Sequence, residues 1–88
     1  MKINSIIPGA ILHDAIVGTF KSRGTTLVEW CREAGVSPTA ARQAAYGQCQ
    51  GVRGQQLLNM MMEAAGREVV ELSYSTRMLM EAEKLKAA

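Results

Sequence analysis

Within residues 26–47 one helix is predicted to end and another to begin only three residues apart. These end and start signals limit the possible folds more than any other feature of the sequence. The signals are, in chain order, the capping box Thr26–Glu29, the glycine Gly35, the pair Ser37-Pro38 and the glycine Gly47. A capping box begins a helix, and glycine tolerates the left-handed backbone that ends one. Serine followed by proline begins the next helix, as N-cap and first helical residue. Two short helices joined this closely cross at a steep angle, as in a helix-turn-helix.

The two predicted helices differ in the faces they present. The first carries an apolar face at Leu27, Trp30, Cys31 and Ala34. The second turns only Ala41 and Ala44 inward, and its outer face contains no acidic residue. Arginine pairs with guanine and glutamine with adenine in the DNA major groove. We therefore predict that the outer face of the second helix reads bases, through Ser37, Thr39, Arg42, Gln43 and Tyr46.

The chain here resembles the helix-turn-helix of phage repressor and Cro proteins, the lambda-repressor-like family. The matching positions are a small residue in the first helix, a turn glycine, an apolar residue, a small inward pair and a closing glycine: Cys31, Gly35, Val36, Ala41 with Ala44, and Gly47. The flanking segments KSRGTTL and AAYG also look like that family. The resemblance covers about two-thirds of the chain and implies an all-α, compact domain of four to five helices over residues 1–66. Larger aliphatic residues are usual in that family where this chain has Ala41 and Ala44, so the second helix is expected to lie closer to its neighbours.

Length, cysteine content and hydropathy restrict the remaining classes of protein. The 88 residues suffice for one small domain, and no apolar run approaches the roughly 20 residues that cross a bilayer. Two cysteines, Cys31 and Cys49, are too few for a disulfide framework, so reduced thiols and a cytoplasmic location are expected. His13 and these cysteines lack metal-ligand spacing, and no histidine lies near a candidate nucleophile. We expect no metal, no cofactor, no small-molecule substrate and no enzymatic activity.

Basic residues are concentrated in the part of the chain that contains the helix-turn-helix. Six basic and three acidic residues lie through Arg53, against four basic and five acidic residues after it. The first helix is predicted from Pro8 to Arg23, and a glycine-rich loop is predicted at 48–54. The candidate phosphate contacts are Lys21, Arg23, Thr26, Gln48 and Arg53, with Gln50 as a further donor in the loop. The alternatives are that Lys21 and Arg23 are merely solvated and that the loop is purely structural.

The last third of the chain predicts a helix, a short strand and another helix. The first of these covers Gln55–Ala65 and contains three consecutive methionines, which fill the core or offer an adaptable surface. Residues 68–73 alternate loosely and include adjacent valines, which favours a strand, and Ser73 or Ser75 is placed to cap a final helix. The extension 67–88 is predicted to form a homodimer interface because its apolar residues exceed what a compact domain needs. They are Val69, Val70, Leu72, Met78, Leu79 and Leu85.

Taken together, the sequence favours a sequence-specific DNA-binding transcriptional regulator of phage type. The expected target is a short palindrome in double-stranded DNA, bound by a dimer with helix 38–46 in the major groove. A helical protein-interaction module that uses Met60 to Met62 and the last helix is the alternative from another class. An excision or architectural factor would share the DNA contact and differ in bending the duplex.

Overall fold

The computed structural model describes residues 6–49 and 51–87, and within them the fold is all-α, as predicted. Its five helices are α1 (Ala10–Ser22), α2 (Leu27–Ala34), α3 (Pro38–Tyr46), α4 (Val52–Ala65) and α5 (Arg67–Ala87). They form a compact body with extents of 43 × 30 × 22 Å. No helix in the described part of the chain has both the length and the apolar composition to cross a membrane.

Helix α1 is the centre of the fold and packs against each of the other four helices. The apolar face of α1 is buried, with Leu12, Ile16 and Phe20 at most 2% exposed. The same core contains the inward residues of the other helices: Leu27, Cys31, Ala41, Ala44, Ala45, Met61, Met62, Ala65, Val70 and Tyr74. Helix α1 therefore packs against both α3 and α5 and sets the position of α3.

The predicted start and end signals of the two helices in the helix-turn-helix segment are confirmed. The Thr26 side chain accepts a hydrogen bond from the Glu29 N–H at 3.1 Å, and Gly35 ends α2 in the left-handed region with φ 72°. Ser37 caps α3 by accepting from the Ala40 N–H at 3.4 Å. Of the predicted capping box the structure shows the Thr26 half, while the Glu29 carboxylate accepts from the Thr25 hydroxyl at 3.0 Å.

The predicted strand at 68–73 is wrong, because these residues belong to α5, which is continuous from Arg67 to Ala87. Val70 and Tyr74 lie four positions apart, so they share one helical face, and both are buried in the core. A single strand would have had no partner for its backbone groups within the described residues. The predicted cap at Ser73 or Ser75 is also wrong, since the Ser75 hydroxyl donates to the Glu71 carbonyl within the helix. Because α5 completes the core, the predicted division at residue 66 is not a break in packing.

Helix α4 begins at Val52, three residues earlier than the predicted Gln55. Arg53 and Gly54 therefore belong to its first turn rather than to a loop. Gly54 is buried, and a Cβ atom at this position would lie only 1.9 Å from the Cys49 carbonyl oxygen. The turn after α3 thus packs directly on the start of α4, which holds the two helices together.

Candidate nucleic-acid interface

The exposed face of α3 carries three of the five residues predicted to read bases. Thr39, Arg42 and Gln43 are all exposed, and Ser37 is exposed at the N-cap. The opposite face is buried through Ala41, Ala44 and Ala45, which are at most 2% exposed. Alanine permits a close approach to α1, where the Gly9 N–H donates to the Ala45 carbonyl at 3.0 Å. The small residues therefore seat α3 tightly and leave its polar face outward.

Tyr46, the fifth predicted base-reading residue, lies against α1 instead. It is half-buried, and its ring stacks on His13 with 4.6 Å between centroids and 29° between planes. The Arg42 guanidinium lies over the same Tyr46 ring, 5.4 Å from its centroid. The i, i+4 spacing of Arg42 and Tyr46 on one helix is a sequence signal that these two side chains meet.

A groove borders α3 on each of two sides. The first groove, about 380 Å³, lies between α1, α2 and α3 and is lined by His13, Val17, Lys21, Thr26, Leu27, Val28, Pro38, Thr39 and Arg42. The second groove, about 450 Å³, lies between the α2–α3 turn and α4 and is lined by Gly35, Val36, Ser37, Ala40, Arg53, Gln56, Leu57 and Met60. None of these lining residues is acidic. Lys21 and Arg42 thus face one groove and Arg53 the other.

Three of the residues predicted to contact phosphate lie in the grooves on the two sides of α3. Lys21 and Thr26 line the first groove and Arg53 the second, on the two sides of α3. Gln48 is exposed at the end of α3, where its backbone N–H donates to the Gln43 carbonyl at 2.9 Å. Gln50 lies outside the described residues.

Arg23 has a different role from the one predicted. Its guanidinium Nη1 donates to the carbonyl oxygens of Ala64 at 2.8 Å and Ala65 at 3.0 Å. These carbonyls belong to the last turn of α4, where an α-helix leaves carbonyl groups without intrahelical partners. We therefore assign Arg23 to the C-terminal cap of α4 rather than to a phosphate contact.

Several acidic side chains are engaged on or near α5. Arg77 contacts Asp14 at 3.5 Å and Glu81 at 2.9 Å, and Lys84 lies 3.5 Å from Glu81. The hydrogen bond from Arg77 lowers the pKa of Glu81. This carboxylate network joins α5 to the Asp14 side of α1, while the linings of both grooves contain no acidic residue.

The outer face of α5 carries an apolar stripe, which we define as Val69, Leu72, Thr76, Leu79 and Met80. Its four large members are 52–68% exposed. The helical spacing places Leu72 and Leu79 opposite the buried pair Val70 and Tyr74, with Val69 and Met80 at the edge of the stripe. The prediction that Val70 contacts a second subunit is wrong, because Val70 is fully buried within one molecule. Met78 and Leu85 are exposed on a different side of α5, away from this stripe.

Within the described residues, no group of three or more histidine, cysteine, aspartate or glutamate side chains is arranged to hold a metal ion. Cys31 is buried, Cys49 is exposed, and both are free thiols. The site consists of a polar helix face between two grooves, a surface suited to a long polar ligand. No family model, curated protein or solved structure shows a significant match to the chain, so its function is inferred from its own geometry.

Proposed function

We propose that the protein is a sequence-specific DNA-binding transcriptional regulator, built as a phage repressor-type helix-turn-helix domain and acting in the cytoplasm. The observation that carries the proposal is the exposed, acid-free face of α3 between two grooves that present Lys21 and Arg53. The major groove of B-DNA is about 12 Å wide and admits one α-helix. With α3 in the major groove of DNA, Lys21 on one side of the helix and Arg53 on the other each face a phosphate backbone.

The proposed contacts divide into those that choose a sequence and those that supply affinity. Thr39, Arg42 and Gln43 face the base edges, with Ser37 at the N-cap. The phosphate contacts are assigned to Lys21, Thr26, Gln48 and Arg53. Phosphate contacts fix the register and make binding salt-dependent, whereas base contacts determine which duplex is preferred.

One arginine per reading helix gives limited discrimination, so we propose that a homodimer doubles the contact on a palindrome. A good bidentate contact is worth roughly 1–3 kcal/mol, and two half-sites about 34 Å apart suit a two-fold dimer. The apolar stripe on α5 is the surface assigned to the second subunit.

The proposal is tested by selecting bound duplexes from a random pool and then measuring affinity for the selected and scrambled sequences. Arg42→Ala should reduce the preference at one base pair of each half-site by about tenfold. Arg32→Ala is the matched control, because Arg32 is exposed on α2 and lines neither groove. Failure of the wild-type protein to shift any duplex at low salt and tens of micromolar would refute DNA binding.

A helical protein-interaction module is the second candidate, and the exposed stripe on α5 favours it together with Met60, which is 48% exposed. An apolar surface of this kind can bind a different protein as well as a second copy. The same gel-shift separates the two functions, since an interaction module binds no duplex. An excision or architectural factor would bind DNA and also bend it, which a circular-permutation assay measures.

A further inference from the structure

Three side chains from two helices form a continuous stack beside the first groove. His13 belongs to α1, while Tyr46 and Arg42 lie one turn apart on α3. The ring centroids of His13 and Tyr46 are 4.6 Å apart, and the Arg42 guanidinium carbon lies 5.4 Å from the Tyr46 centroid. The order of the stack is therefore Arg42, Tyr46, His13, running from the exposed face of α3 into the contact with α1.

The inner end of the stack is fixed by the fold. The His13 side chain is 18% exposed, and its buried Nδ1 atom lies 3.7 Å from Asp14 Oδ1 without a hydrogen-bond partner among the described residues. On that side the imidazole contributes packing and its ring face rather than a hydrogen bond. Tyr46 is half-buried and stacks on this ring, so turning it away from Arg42 would break its contact with α1.

The outer end of the stack is the Arg42 guanidinium, which contacts the Tyr46 ring and is otherwise open to solvent. Arg42 is exposed, and none of the described residues accepts a hydrogen bond or forms an ion pair with it. A cation over an aromatic face is attracted to the ring while its N–H donors remain available to a ligand. Restricting a long side chain before binding lowers the entropy lost when it docks.

We propose that Tyr46 is a positioning residue whose ring, supported by His13, holds Arg42 in the orientation that recognises guanine. This inference rests on the proposed function and replaces the predicted base contact of the Tyr46 side chain. The hydroxyl group of Tyr46 has no part in recognition, whereas the ring face is required.

The test compares Tyr46→Phe, which keeps the ring, with Tyr46→Leu, which removes it. The measured quantity is the ratio of affinities for the selected duplex and for a duplex changed only at the base pair that Arg42→Ala identifies. Tyr46→Phe should keep this ratio within about twofold, and Tyr46→Leu should reduce it about two- to fivefold, as expected for an exposed cation–π contact. In an Arg42→Ala background, Tyr46→Leu should cause no further loss of discrimination, because the two residues act through one contact.

Two outcomes overturn the proposal. Equal loss in Tyr46→Phe and Tyr46→Leu would assign recognition to the hydroxyl group, and unchanged discrimination in Tyr46→Leu would show that the ring does not position Arg42. Thermal melting and affinity for scrambled duplex report whether the variants are folded. If Tyr46→Leu does not fold, Tyr46→Met takes its place, because methionine fills a similar volume without an aromatic face.

The stack is also tested in the protein without DNA. The ring current of Tyr46 should move the NMR signals of the Arg42 side-chain methylene protons upfield, and Tyr46→Leu should abolish that shift. An absent shift in the wild-type protein overturns the positioning role even if DNA is bound. A wild-type protein that shows the shift but prefers no duplex would instead refute the proposed function, and the reading role of Arg42 with it.

Discussion

At the scale of single residues, the structure gives position 54 a requirement that was not predicted. A Cβ atom there would overlap the Cys49 carbonyl oxygen, at 1.9 Å, and its carbon, at 2.7 Å. The obstacle is backbone, so it cannot be relieved by changing a side-chain rotamer. Glycine at this position is needed for the close approach of the turn to α4, not for an unusual φ angle.

We therefore expect Gly54→Ala to lower the free energy of unfolding by about 1–3 kcal/mol, the usual cost of overpacking a tight site. Gly18→Ala is the matched control, since Gly18 also lies within a helix and nothing lies within 4 Å of a Cβ atom there. Urea unfolding followed by circular dichroism measures both variants. Equal stabilities for the two would mean that the turn does not pack on α4 as described.

The two cysteines differ in a way that thiol chemistry can detect. Burial raises the pKa of the Cys31 thiol, and its side chain is fully buried, whereas Cys49 is exposed. Because the thiolate is the reactive form, both effects protect Cys31.

With Ellman's reagent at pH 8 we expect one thiol per chain to react quickly, and the second to react only as the protein unfolds. A Cys49→Ser variant should lose the fast phase and retain the slow one. A fast reaction of that variant would show that the Cys31 thiol is accessible to the reagent in the folded protein.

At the scale of elements, the C-terminal end of α1 carries two neighbouring cations, Lys21 and the C-cap residue Arg23, in different surroundings. Lys21 lines the first groove, whereas Arg23 reaches across to the carbonyls that end α4. The same loss of charge at these positions should therefore have different consequences.

Lys21→Gln should weaken binding to all duplexes and reduce the slope of log K against log salt by about 0.9, the value for one phosphate contact. Arg23→Gln should leave that slope unchanged and lower stability by about 0.5–1.5 kcal/mol, because the α4 carbonyls lose their donor. Salt titrations and urea unfolding of both variants provide the comparison. An unchanged slope for Lys21→Gln, or a reduced slope for Arg23→Gln, would reverse these assignments.

At the scale of the whole molecule, α5 has two apolar faces with different uses. Val70 and Tyr74 close the core, and the Tyr74 hydroxyl also accepts a hydrogen bond from the Ile7 N–H at 3.2 Å. The stripe of Val69, Leu72, Thr76, Leu79 and Met80 faces solvent on the other side. One helix thus completes the domain and also carries the exposed stripe that we propose as the dimer surface.

Charged residues within the stripe should therefore prevent the proposed dimer without affecting the core. We expect the double variant Leu72→Glu/Leu79→Glu to sediment as a monomer at concentrations where the wild-type protein is a dimer, and to bind a palindrome more weakly than wild type. Leu85→Glu is the control, because Leu85 is 79% exposed on a different side of α5. A wild-type protein that sediments as a monomer at high micromolar concentration would remove the dimer from the proposal.

Local chemistry in the sequence determined helices α1 to α3, the caps of α2 and α3, and the polar outer face of α3. Capping and turn formation involve residues three to four positions apart, so Thr26, Gly35 and Ser37 carry enough information by themselves. The tertiary structure decided what depends on distant partners: the helical state of residues 68–73, the Arg23 cap, the stack of Tyr46 on His13 and the contact at Gly54. Arg23 and Ala64 are 41 positions apart, and alternation alone could not show that Val70 and Tyr74 would be buried. Burial of Val70 and Tyr74 against the core stabilises the helical state of residues 68–73. The local sequence pattern does not predict this stabilisation, because it depends on residues distant in the chain.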